Sequence, residues 1–155
     1  MKKLAALLCG AVLAFSASYC SAVISTDKIA IGGIRPGMTQ EDLIRIAGQP
    51  DEKTVDRENW HYYNGFVVEF DDDTGLIDEI KTRYNTVATP DGVFVGYSED
   101  VLTKIYGTAD KVKRKANSID YTYYSADYTR KLKFKTVNGV ITKISCEHDD
   151  DISRN

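Results

Sequence analysis

Disulfide chemistry has almost no material in this chain. Its 155 residues include 3 cysteines. Two of them, Cys9 and Cys20, fall in an N-terminal stretch that reads as a removable leader. Cys146 is then left alone, so no internal disulfide can form. A fold without staples must be held by its apolar core. Histidine is equally scarce, with 2 residues, His61 and His148. Neither accompanies a Ser or Cys in a nucleophile-elbow context. Cys146 and His148 stand two apart on a strand, roughly 7 Å along the backbone, too far for a hydrogen-bonded pair. Gly32-Gly33 has no lysine after it, and no phosphate-cradling glycine loop or Walker signature occurs. These absences argue against an enzyme and against a bound cofactor. An excess of positive charge is also missing. The net charge is −3, and losing Lys2 and Lys3 with the leader makes it more negative. That leaves no electrostatic case for a nucleic-acid partner.

No apolar run reaches membrane-spanning length. Leu4 to Phe15 is about a dozen residues, the size of a secretory h-region. With Lys2 and Lys3 before it and Cys20-Ser21-Ala22 after it, residues 1–22 are expected to be a signal peptide cleaved after Ala22. The mature protein would be periplasmic or secreted. A lipoprotein is the alternative: membrane attachment would require acylation of Cys20, which follows a bulky Tyr19.

What the chain has in place of these is an internal echo. Gly37-Met38-Thr39-Gln40-Glu41-Asp42-Leu43 through Gly48 and Asp51 reappears as Gly96-Tyr97-Ser98-Glu99-Asp100-Val101-Leu102 through Gly107 and Asp110. Trp60-His61-Tyr62-Tyr63 parallels Tyr121-Thr122-Tyr123-Tyr124. Phe70, Gly75-Leu76-Ile77 and Ile80 parallel Phe134, Gly139-Val140-Ile141 and Ile144. The offset grows only where loops would absorb an insertion. This pattern predicts two repeats, 29–84 and 88–148, packed as one unit, with 149–155 as a polar tail.

Each repeat predicts one helix of about nine or ten residues, capped by Thr39 or Ser98 and stopped by Gly48 or Gly107. Strands are expected at 60–63, 66–71 and 76–84, and again at 119–124, 128–135 and 140–147. Asn64-Gly65 and Asn138-Gly139 are strong hairpin signals. Lys111-Val112-Lys113-Arg114-Lys115 reads as a solvated, charged edge. The order predicts an α+β fold: two tandem helix-plus-antiparallel-meander repeats, with the helices on one face of a shared or abutting sheet.

The Gly37-Met38-Thr39, Leu43, Ile46-Ala47-Gly48 and Pro50 pattern resembles the helix motif of the small outer-membrane lipoprotein type (SmpA/OmlA, BamE-like). Its duplication resembles the β-lactamase-inhibitor-protein-like fold. The resemblance implies a non-enzymatic, exported binding scaffold that grips its partner with a sheet and with the loops joining the first two strands of each repeat. Those loops correspond to Asn64-Gly65 and to Ser125-Ala126-Asp127, and the paired cysteines of the inhibitor have no counterpart.

Aromatics supply the candidate partner-binding surface. Alternation puts Trp60 and Tyr62 on one face, with His61 and Tyr63 on the other; Tyr121 and Tyr123 likewise oppose Thr122 and Tyr124. Stiff aromatic area suits interface anchors. Trp60, Tyr62, Tyr121, Tyr123, Asp127 and Tyr128 are therefore the expected contacts for a protein partner in the envelope or outside the cell. A cell-envelope structural or assembly component is the alternative function. Asp71-Asp72-Asp73 leads into a turn and lacks the ligand spacing of a calcium loop, so no metal is expected.

Overall fold

The computed structural model of the chain describes residues 23–54, 59–63 and 65–149. The expected signal peptide, Asn64 of the first hairpin turn and residues 150–155 of the tail lie outside the described residues.

Two short helices form where the sequence concentrates caps and stops. The first, α1 (Gln40–Ala47), opens with a capping box. The Thr39 hydroxyl accepts from the Asp42 backbone N–H at 3.1 Å, and the Asp42 carboxylate accepts from the Thr39 N–H at 3.4 Å. Gly48, at φ 80°, ends it. The second, α2 (Asp100–Tyr106), differs from expectation at its start. Its cap position is Glu99, which makes no side-chain capping bond. Ser98 is held in a bridge to Val140 while its hydroxyl still accepts from the Asp100 N–H at 3.4 Å, and the Glu99 N–H donates to the Gly139 carbonyl at 2.9 Å. The sheet claims the backbone there, so the helix begins later.

Eight strands follow these helices in two runs. The first run is β1 (Glu52–Thr54), β2 (Asn59–Tyr62), β3 (Phe66–Phe70) and β4 (Ile77–Thr82). The second is β5 (Lys111–Lys115), β6 (Ser118–Tyr124), β7 (Arg130–Val137) and β8 (Val140–His148). All join one antiparallel sheet in the order β1-β2-β3-β4-β8-β7-β6-β5. Among the described residues strand accounts for 43% and helix for 15%, so the sheet is the architecture. The expected pair of tandem helix-plus-meander repeats is thereby corrected to a single eight-stranded sheet. Its edges are β1, absent from the expectation, and β5, expected as a charged edge. Neither carries the alternating apolar pattern that marks a strand in sequence: β1 is three polar residues, and all five residues of β5 are exposed. The seam is the antiparallel pairing of β4 with β8, Ile80 opposite Cys146 and Thr82 opposite Ile144.

Register explains the core. Trp60, Val68, Ile80, Cys146, Leu132 and Tyr123 lie in one cross-strand row, and all are buried. Leu43, Leu102 and Tyr106 from the helices and Ile29, Ile31 and Ile34 from the N-terminal segment join them in one cluster. Both helices therefore lie on this face. Asn138 and Gly139, at φ 50° and 75°, turn β7 into β8 as the sequence signal implies.

Candidate binding face

Alternation places the residues between those core positions on the opposite side of the sheet, where charge predominates. On this face His61, Val67, Lys81, Ser145, Lys133, Thr122 and Lys111 form one cross-strand row. At the seam Glu79 stands directly opposite Glu147, a pairing that repels by itself. Lysines on both sides neutralise it. Lys143 and Lys81 reach Glu79, each at 3.5 Å, and Lys131 and Lys133 each reach Glu147 at 3.0 Å. Lys81 also pairs with Glu69. Burial opposes the charge on Lys131, but its bonds to Glu147 and Asp149 outweigh that and hold its pKa above the usual lysine value.

Three depressions run into one another across this face. The first, about 400 Å³, lies beside the β2–β3 hairpin and is lined by His61, Tyr63, Lys81, Arg83, Tyr84 and Lys143 among others. Tyr63 is 72% and Tyr84 62% exposed. Tyr63 is oriented from both ends: its backbone N–H donates to Asp51 at 2.7 Å and its hydroxyl to Glu52 at 3.0 Å. A second depression, about 260 Å³, shares Arg83 and Lys143 with the first and extends to Lys115, Asp120, Lys133 and Lys135. A third, about 300 Å³, shares Lys115, Asp120 and Lys133 and ends at Tyr124. The result is a groove with a tyrosine at either end and cations between.

The sequence-expected contacts fall mostly elsewhere. Trp60 and Tyr62 are buried. Trp60 meets the Phe70 ring edge-on at 5.0 Å, under the Lys53 ammonium at 3.8 Å. Tyr62 stacks on Phe66 at 4.6 Å and donates to the Gly48 carbonyl at 3.1 Å. Tyr123 packs between Tyr106 and Phe134, and burial pushes its phenol up to about 12. Tyr121 is half-buried on the same helix-facing side, its hydroxyl donating to Glu99 at 3.3 Å. These four belong to the core and its border, because the apolar positions of β3, β4, β7 and β8 face the helices and their row includes them. Cys146, fully buried in that row, has no exposed thiol for bridging to another chain.

Asp127 and Tyr128 do sit together on the surface, in the β6–β7 loop. Asp127 accepts from the Ser125 hydroxyl at 2.6 Å, the Thr26 hydroxyl at 2.9 Å and the Thr129 N–H and hydroxyl at 3.1 and 2.8 Å. Tyr128, in the left-handed region at φ 58°, is 57% exposed and lies 5.9 Å from the Tyr124 ring. It precedes β7, where the sequence placed it inside a strand. Sequence reading missed Tyr84 and the lysines of the groove. The signal was present in the polar alternates Lys131, Lys133 and Lys135, which mark the face that Leu132 and Phe134 do not occupy.

Those four hydrogen bonds, the one from Ser125 foremost, hold the Asp127 carboxyl well below the usual carboxylate range. A depressed folded pKa contributes stability above the unfolded value, about 3.9, and loses it as pH falls through the folded one. Asp127→Asn is therefore expected to melt below the parent at neutral pH. The gap should close as pH drops below about 4. Melts at both pH values test this; a gap of the same size at each would refute the role.

No family model matches this chain, and no curated protein matches it. Among solved structures it is similar to a DUF4309 family protein from Bacillus subtilis, at 20% identity and TM-score 0.49, over 72% of this chain and 78% of that one. It is also similar to an extracellular protein containing an SCP domain from Bacillus anthracis, at 11% identity and TM-score 0.49. That alignment covers 99% of this chain and 52% of the other, so the chain spans about half the length of that protein.

Proposed function

We propose that the chain is an exported, non-enzymatic protein-binding module that takes its partner on the open face of the sheet. One observation carries this reading: among the described residues no element covers that face, and one end of its groove carries two tyrosines exposed at 72% and 62%. Tyrosine is among the residues enriched at the energetic centres of protein interfaces. The lysine-led N-terminus and the apolar run after it support export.

The test is capture of envelope and culture proteins by the chain, beside a Tyr63→Ala/Tyr84→Ala variant. Both side chains are exposed, so each change is expected to alter stability by less than about 0.5 kcal/mol. Saturable capture of one partner that the variant loses, at an unchanged melting temperature, supports the reading. Equal capture by both proteins removes it.

A further inference from the structure

The chain as a whole is acidic, at net charge −3, yet one sector of the open face is strongly basic. Lys111, Lys113 and Lys115 alternate along β5, and Lys131, Lys133 and Lys135 alternate along β7. Register puts all six on the open side. Lys111 lies opposite Thr122 and Lys113 opposite Asp120, and those residues face Lys133 and Lys135 in turn. β6 runs between the rows; of its open-face residues Ser118, Asp120 and Thr122 are short and polar, and Tyr124 closes the end. Acidic groups are few here. Asp120 is paired to Lys115 at 2.6 Å, while Glu147 and Asp149 occupy Lys131 and Glu147 also occupies Lys133. Lys111, Lys113 and Lys135 make no ion pair among the described residues.

Strand geometry fixes the spacings. Within a row the lysine positions repeat every roughly 6.7 Å, and the rows stand roughly 9.5 Å apart. An extended polypeptide has the same repeat, with successive side chains pointing to opposite sides. Laid along β6, a run of consecutive acidic residues would direct alternate carboxylates to the β5 row and to the β7 row. A single nucleic-acid strand presents its phosphates in one file and needs aromatic platforms for its bases. The floor of this trough has a single aromatic, Tyr124 at its end, and no succession of them.

We propose that the two lysine rows flanking β6 dock an extended acidic segment of the protein partner. The inference rests on the binding reading above and names the chemistry of the bound segment. The test is fluorescence anisotropy of a labelled oligoglutamate peptide titrated with the chain at low salt, beside an oligothymidylate of equal charge. Saturable peptide binding is expected, tighter than that of the oligothymidylate and screened away in concentrated salt. Lys113→Gln/Lys135→Gln should weaken it about tenfold. Lys104→Gln/Arg45→Gln, the same charge change on the two helices, should leave it unaltered. Equal loss in the two variants, an oligothymidylate bound as tightly as the peptide, or no peptide binding would each overturn the proposal. Partner capture that needs Tyr63 and Tyr84 but survives Lys113→Gln/Lys135→Gln would overturn the acidic segment alone and leave the tyrosine-flanked face standing.

Discussion

Trp60→Ala is expected to destabilise the protein by roughly 3–5 kcal/mol, the usual cost of removing a large aromatic from a packed interior. For a domain of this size that corresponds to a melting temperature lower by on the order of 10–20 °C. The side chain is 6% exposed, in edge contact with Phe70 and in register with Val68. Truncation would leave a cavity that a sheet locked between neighbouring strands cannot collapse. Tyr123→Ala should behave similarly, since Tyr123 is 1% exposed and wedged against Tyr106 and Phe134. Thermal melts of both variants beside Tyr84→Ala provide the check. A Trp60→Ala protein that melts with the parent would show that the indole is not part of the core.

The second large effect is expected in alkali. Cys146, Tyr106 and Tyr123 are buried proton donors, and desolvation raises the pKa of each in the folded chain. The Thr89 hydroxyl, 2.7 Å from the Tyr106 phenol, opposes that rise without cancelling it. In the unfolded chain a cysteine titrates near 8.5 and a tyrosine near 10. Between those values and the raised folded ones, the unfolded state holds fewer protons, so stability falls as pH rises. It is fully present below about pH 8.5 and declines from there. Each group contributes up to about 1.4 kcal/mol per pH unit beyond its own unfolded value. Denaturant midpoints measured from pH 7 to 11 should bend down near 8.5. A Cys146→Ala variant should postpone the bend to near 10. An onset that the variant does not move would exclude the thiol as a contributor.

Local signals in this sequence were explicit, and those that depend on neighbours were not. Thr39 with Asp42, the stops at Gly48 and Gly107, and Asn138-Gly139 each act within a few residues, and each does what its chemistry implies. Alternation correctly grouped Trp60 with Tyr62 and Tyr121 with Tyr123. It could not say which group faced the helices, because a strand's two sides are equivalent until another element covers one. The cross-strand partners decide it: Val68, Ile80, Leu132 and Phe134 are apolar, and their alternates Glu69, Lys81, Lys133 and Lys135 are charged. The edges show a different limit: β1 was hidden, and β5 was legible as a charged border and not as a strand. β5 is lysine and arginine at four of its five positions, a composition that protects an edge from pairing with other chains and also removes the apolar period that would reveal a strand. The lysines of the groove lie on β4, β5, β7 and β8 and its tyrosines on β6 and just beyond β2 and β4, and only the register brings them together.

The joining of β4 to β8 also governs the order in which the molecule can be completed. The middle of the sheet is made from the last strand of each half, and Ile80 waits for a partner, Cys146, far along the chain. While the protein is being synthesised, the first four strands have an open hydrogen-bonding border that nothing nearby in sequence can close. Such long-range closure is slow and leaves the incomplete sheet prone to sticking to its neighbours. Shortening the chain into β8 would thus remove the middle of the sheet and separate the two halves.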